Sequence, residues 1–338
     1  MKKAGIIFLI LIILITLSVK IIDLTGPVDS NNDENILIEI KKGSSAQTIV
    51  DTLYINELIR SRLTFRTYIH LTEIDQQLKA GYYYLKPSMD MFEIIDYLKT
   101  GGNAVFKVTI PEGFSVTEVI NRLAEKSLNT KDDYSETLIE NNFKHEFLPN
   151  KNDKMTYRLE GYLYPDTYTI PLGYSSFETI EVLLSSFENN VIEKIKENEI
   201  TDSYSLHEII TIASLIEEEA RFDNEKPIIA SVIYNRLNRD MLLQIDATVQ
   251  YVLKEKKARL LYKDLEVESF YNTYQNEGLP PGPICNPGIV AIEAALNPVD
   301  TDYLFYFALN NGEHVFTKSY EQHIQKQREM KNEGLIND

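Results

Sequence analysis

The chain of 338 residues gives a prior of about two domains at ~150 residues each, and its 43% hydrophobic and 25% charged content is globular, which excludes a disordered tail. A formal charge of −17, from 51 acidic against 34 basic side chains, argues against any partner that is a nucleic acid, because phosphate binding rests on clustered Lys and Arg. The single cysteine, Cys285, excludes an intrachain disulfide and a Cys-rich zinc or iron–sulfur site, and with 21 Tyr and no Trp any aromatic platform is built from Tyr or Phe.

The first element is an uncharged run from Ala4 to Val19, extended past Lys20 by Ile21 and Ile22. It matches the ~20 residues that cross a bilayer and predicts a membrane anchor over residues 1–22. A cleaved signal peptide is the competing reading, but the run is longer than a usual signal core and no small-x-small cleavage site follows it. No cysteine lies near the run, so a lipoprotein signal is excluded. Lys2 and Lys3 precede the span while Asp23, Asp29, Asp33 and Glu34 follow it, which predicts a cytoplasmic N-terminus and an extracytoplasmic remainder. Residues 23–35 are rich in Asp, Asn, Gly, Pro and Ser and read as a linker.

An internal echo follows. Ile38, Ile40, Gly43, Ser45, Ile49 and Leu53 recur as Val108, Ile110, Gly113, Ser115, Val119 and Leu123, each offset by 70 residues. In both copies an alternating strand meets a Gly-x-Ser turn and then a helical i, i+4, i+8 pattern. Residues 36–154 therefore read as a repeat subdomain, with a strand at Gly81–Leu85 and a short helix at Met91–Leu98 between the copies. The alternative is one α+β domain with two similar turns. Polar, breaker-rich residues 149–156 place the start of a second domain at 155, running to 338. It is predicted to carry a helix from Leu206 to Arg221, a second ending at Leu237, and a Pro-rich loop Gly278–Gly288. A hairpin of Tyr303–Leu309 with His314–Thr317 and a helix capped by Ser319 follow. The fold class is α+β.

The capping box Ser205-x-x-Glu208 fixes the register of the first of these helices. Leu206, Ile209, Ile210, Ala213, Ile216 and Ala220 share one stripe, Glu217 falls among them, and Glu218 and Glu219 do not. A carboxyl aimed into an apolar face keeps its proton and is a general acid. Equally, Glu217 pairs with Arg236 or Arg221, or reaches solvent at a groove. His207-Glu208-Ile-Ile-Thr211 misses the zinc-protease pattern, and neither a nucleophile elbow nor a phosphate-cradling glycine loop is present, so no metal and no cofactor are expected. Asp246 reads as a helix N-cap or a site residue, Tyr271-Asn-Thr-Tyr274 as turn chemistry or a sugar platform, and Cys285 as an inert buried thiol.

Glu160-Gly-Tyr-Leu-Tyr-Pro-Asp-Thr-Tyr168, Ala213-Ser-Leu-Ile-Glu217-Glu-Glu219, Tyr234-Asn-Arg-Leu237, Leu243-Gln-Ile-Asp-Ala-Thr248, Tyr271-Asn-Thr-Tyr274 and Gly278-Leu-Pro-Pro-Gly-Pro283 stand in an order and spacing that resemble the YceG-like endolytic murein transglycosylases. With the anchor and a LysM-like repeat, the resemblance covers nearly the whole chain. It implies that Glu217 is the catalytic residue, and that Asn235, Gln244, Asp246, Thr248, Tyr271, Asn272, Tyr274 and Glu160 belong to the substrate groove. Ala220 stands where relatives often have Thr, Tyr162 where a bulkier aromatic is common and Cys285 where a small residue is common. The repeats read Gly-Ser-Ser and Gly-Phe-Ser instead of the Gly-Asp-Thr of typical glycan-binding LysM modules.

The resemblance further implies cleavage of the bond between N-acetylmuramic acid and N-acetylglucosamine within peptidoglycan strands, giving 1,6-anhydro ends and terminating nascent strands. Peptidoglycan synthases and elongation or division proteins are the implied partners. Two rivals remain. A hydrolase in which Asp246 or Glu219 activates water would leave reducing ends, and a non-catalytic anchored scaffold would be indifferent to loss of the Glu217 carboxyl.

Overall fold

The uncharged N-terminal run forms helix α1 (Lys2–Thr25), of which Gly5–Thr25, 21 residues at a mean hydropathy of 2.9, is long and apolar enough to cross a membrane. The structure is a computed structural model that describes residues 2–140, 143–196, 198, 200, 203–254, 257 and 260–336. Its residues fall into two units, Met1–Phe106 with Thr169–Tyr174, and Lys107–Tyr168 with Ser175–Asp338.

In the first unit β1 (Ile36–Ile40) alternates Ile38 and Ile40 inward with Leu37 and Glu39 outward. Helix α2 (Ala46–Ile55) starts where Ser45 accepts from the Thr48 amide, and α3 (Arg62–Leu71) where Ser61 does the same for Thr64. β2 (Gly81–Leu85) pairs antiparallel with β1, setting Ile38 opposite Tyr83, and α4 (Met91–Thr100) opens on an Asp90–Glu93 capping box. Val50, Leu53, Phe65, Tyr83, Leu85, Ile94 and Leu98 close into one core. Residues expected to form a loose linker are fastened to this body: the Asp29 amide donates to Pro87 O at 3.1 Å and Arg60 Nε donates to Pro27 O at 2.7 Å.

β3 (Val105–Thr109) forms a two-stranded ribbon with β4 (Thr167–Pro171), and the division between units crosses both strands. Between them lie α5 (Val116–Ala124) and α6 (Lys131–Glu140). Both copies of the echo are strand–turn–helix units as expected, with Ser45 and Ser115 as N-caps and Gly43 and Gly113 at φ +83° and +75°. The second turn and helix belong with the downstream residues, although the sequence placed a boundary at 154–155. Phe114 O accepts from both the Asn286 amide (2.8 Å) and Asn286 Nδ2 (2.7 Å), which ties that turn to the Pro-rich loop.

The second unit continues through α7 (Ser176–Phe187), α8 (Glu193–Lys196), α9 (Leu206–Glu219), α10 (Lys226–Leu237), α11 (Asp246–Leu253) and α12 (Ile289–Leu296). The antiparallel hairpin β5 (Phe305–Ala308) and β6 (His314–Thr317), then α13 (Tyr320–Asn332), complete it. Helix α9 is the spine, packed by α10, α11 and α12. Every residue from Ile209 to Ile216 is buried, so the one-sided stripe read from the sequence is too narrow: Ile212 and Leu215 are as enclosed as Ile209. Its buried hydroxyls stay satisfied within the helix, Thr211 Oγ1 donating to His207 O and Ser214 Oγ to Thr211 O, both at 2.7 Å. The helix stops two residues before the expected Arg221, because Ala220 turns extended at ψ 118°.

Gly161 shows how tightly this spine is clasped. Its φ is +89°, and a Cβ there would stand 2.5 Å from Pro283 Cγ and 2.8 Å from Ile210 Cγ2. Gly161→Ala is expected to cost about 2 kcal/mol or more through strain and overpacking, read as a lower thermal unfolding midpoint by circular dichroism. An unchanged midpoint would show that the Pro283 loop yields at no cost.

Candidate active site

The three glutamates that end α9 face the negative end of the helix dipole, an arrangement that needs compensation. Each finds a different surrounding. Glu217 Oε2 accepts from Lys226 Nζ at 3.3 Å and from the Gly288 amide at 3.2 Å. The Lys226 side chain is only 4% exposed and also lies 3.0 Å from Asp223. Burial pulls the Lys226 ammonium down, but the Glu217 and Asp223 carboxylates outweigh it and hold its pKa above the ordinary lysine value. Of the alternatives left open by the sequence, the ion pair is realised, with a cation that was not named. Arg221 Nη1 is spent on Asn311 O at 3.1 Å, and Arg236 on the carbonyls of Leu304, Leu242 and Leu243 at 2.6 to 3.0 Å.

Gly288 is the buried N-cap of α12, and the place its Cβ would take lies 2.0 to 2.5 Å from the carboxyl atoms of Glu112. Two carboxyls, from distant parts of the chain, thus meet one glycine. Partial burial first, then the charges of Glu217 and Asp223, raise the Glu112 pKa, with Lys226 opposing. Sequence reasoning missed Glu112. The signal was in the echo, where Lys42 precedes the turn glycine of the first copy and Glu112 that of the second.

Glu219 lies beneath Tyr306, whose hydroxyl bonds it. Burial, with Asp246 and Glu218 nearby, pushes its carboxyl up to about 7 against the pull of Tyr306 and Arg236. The desolvated carboxyl with a strongly raised pKa is therefore Glu219, which the helical register had placed off the apolar stripe. Glu218 faces the other way, into a cavity of about 190 Å³ shared with Gly113, Ser115, Tyr157, Gln250 and Tyr251.

The remaining candidates separate into open and enclosed groups. Asp246 is the first residue of α11 and makes no cap bond; it accepts instead from Tyr274 OH at 2.5 Å, on the same side as Glu219. Gln244 is exposed and sits at φ +52°, a strained backbone for a non-glycine residue, held by its amide on Thr273 O at 3.1 Å. Asn235, Thr248, Tyr271, Asn272 and Glu160 are spent internally. Asn235 Nδ2 donates to Thr301 O (2.7 Å) and Tyr303 O (3.0 Å), and Asn272 Nδ2 to Leu265 O and Val267 O, both 2.9 Å. Thr248 Oγ1 donates to Ile245 O at 2.7 Å, and Tyr271 OH accepts from the Thr156 amide at 3.4 Å. Cys285 is buried as expected, with Sγ on Ser214 O at 3.4 Å.

The sequence profile of the YceG-like family matches residues 38–329. An endolytic murein transglycosylase of Bacillus subtilis is 39% identical over 313 residues, covering 89% of this chain and 86% of that protein. One of Streptococcus pneumoniae is 30% identical over 345 residues, covering 93% of this chain and 62% of that longer protein. The crystal structure of a YceG-like protein from Listeria monocytogenes superposes with a TM-score of 0.60 at 36% identity, covering 87% of this chain and 99% of that one.

Glu160 underlies the cavity. With no exposed surface, it accepts from the Val116 amide of α5 (2.8 Å) and from Tyr251 OH of α11 (3.0 Å). Burial drives its pKa from 4.5 up to about 8, despite those two donors. A carboxyl whose folded pKa is raised binds its proton more tightly in the fold, so stability falls as pH climbs from about 4.5 through about 8. Glu160→Gln should flatten that fall in a pH series of thermal midpoints; a slope equal to that of the unaltered protein would assign it elsewhere.

Proposed function

From the premise that the chain belongs to the YceG-like family, and is a lytic transglycosylase acting on peptidoglycan, we propose that Glu217 is its single acid–base residue. The observation that carries this is the seat of Glu217: a carboxylate at the end of a buried helix, with one oxygen fixed by Lys226 and the Gly288 amide.

Protonated Glu217 gives its proton to the glycosidic oxygen as the anomeric carbon–oxygen bond breaks, and the acetamido group of the substrate stabilises the developing oxocarbenium. The carboxylate so formed is the species Lys226 and Gly288 stabilise. It then takes the proton of the muramic C6 hydroxyl as that oxygen bonds to the anomeric carbon, closing the 1,6-anhydro ring and restoring the acid. No water enters the balance. Gln244, Asp246 and Tyr274 are the groove residues with side chains open to a glycan. Asn235, Thr248, Tyr271, Asn272 and Glu160 hold the walls in place.

We read α1 as an uncleaved anchor with a cytoplasmic N-terminus, after the lysines before it and the acids behind it. The two strand–turn–helix copies are LysM-like, and their second turn supplies Glu112 and Gly113 to the site.

Mass spectrometry of glycans released by the full-length chain in detergent micelles, beside Glu217→Gln, tests the reading. Internal fragments lighter by one water than their reducing counterparts are expected, with a loss of roughly 10²- to 10⁴-fold in the variant. Reducing ends would instead identify a hydrolase using Asp246 or Glu219, and equal product from both proteins would remove Glu217 from the reaction. Asp246→Ala should lower turnover with the unfolding midpoint preserved, and unchanged turnover would take Asp246 out of the groove.

A further inference from the structure

A general acid must hold a proton before it can give one, yet Glu217 stands 3.3 Å from the buried Lys226 ammonium. The neighbour that resolves this is Glu112. Gly288 touches both groups: its amide donates to Glu217 Oε2 at 3.2 Å, and the Glu112 carboxyl occupies the space a side chain would need at that residue. Because Gly288 has an ordinary φ of −73°, what requires glycine there is this approach and not the backbone.

We propose that Glu112 and Glu217 form a carboxyl pair across Gly288 that holds one proton between them, Glu112 being the positioning residue that keeps the catalytic carboxyl supplied with the proton it gives away. This rests on Glu217 acting as the acid–base residue. The charged and titratable groups that act on Glu112 are Glu217 from α9, Lys226 from α10, Asp223 from the turn before α10, and Tyr164 from the loop before β4. With one proton on the pair, its remaining negative charge is matched by the Lys226 ammonium, which the 72%-exposed Asp223 also pairs at 3.0 Å from the solvent side. Removing that proton leaves two carboxylates against one buried cation, the state two close carboxyls resist. Burial first, and then the Glu217 charge, raises the Glu112 pKa, which agrees with a proton held on the pair. Over a turnover the proton passes from the pair to the leaving oxygen and returns from the C6 hydroxyl, so the pair ends as it began.

The test is the pH profile of kcat/KM for release of anhydro-ended fragments by the full-length chain in micelles, from pH 5 to 9. Glu112→Gln removes the second carboxyl of the pair, so the alkaline limb moves down. A downward shift of about one pH unit makes the deficit about tenfold at pH 8 and within about threefold at pH 5. Gly288→Ala, which displaces the Glu112 carboxyl while leaving both acids in the sequence, should shift the limb the same way, and Glu112→Asp should recover part of it. A limb unmoved in the folded variants, whether or not rates fall uniformly, overturns the pair. Failure of the underlying reading is seen separately, as wild-type products without anhydro ends or undiminished cleavage by Glu217→Gln.

Discussion

A carboxylate at the C-terminus of a helix opposes the dipole, and α9 places three there in succession. The surrounding unit is organised around making that tolerable. Lys226 and the N-terminus of α12 take Glu217, the Tyr306 hydroxyl takes Glu219, and Glu218 opens into the cavity. Each compensating group comes from a different element, so α10, α12 and β5 are fixed around the end of α9 by charge as well as by apolar packing. The buried run Ile209–Ile216 keeps that end from moving.

Asn286 does the corresponding work for the approach to the site. Fully buried, it accepts from the Leu163 amide at 2.8 Å and donates from Nδ2 to Phe114 O at 2.7 Å, while its carbonyl accepts from the Gly113 amide at 3.0 Å. One amide residue thus joins the Pro-rich loop, the Glu160-Gly loop and the turn that carries Glu112. Sequence motifs far apart in the chain meet because their backbone groups have no other partners in the interior.

Much of the framework was legible. The Ser-x-x-Glu box fixed the helix start at Ser205, the Gly-x-Ser turn of the echo located the one at Ser115, and β2 was expected at its observed bounds. The register of α9 brought Glu217 forward, because period 3.6 is a local property. Its partners were not legible, since Lys226, Gly288 and Glu112 are brought together by tertiary packing alone. Asn235, Thr248 and Asn272 carry groups that suit a sugar, yet they serve backbone carbonyls, and residue type cannot distinguish the two uses. Asp246 misled in the other direction: an acid at a helix start suggests a cap, but its carboxylate serves Tyr274.

The echo of strand, turn and helix shows how one local design is put to two uses. Both copies need a glycine at positive φ and a serine cap, and in the first copy no described residue comes within 4 Å of the site of a Cβ on Gly43. In the second, a Cβ on Gly113 would meet Glu218 Oε1 at 3.3 Å and Glu217 Cγ at 3.9 Å. The second glycine is therefore required by the turn, and there α9 also comes close beside it. A lysine before the turn glycine in one copy and a glutamate in the other then separates a structural turn from one that brings a carboxyl to Glu217. The two copies share one backbone geometry, and the side chain before the turn glycine gives the second copy a charge that faces the site.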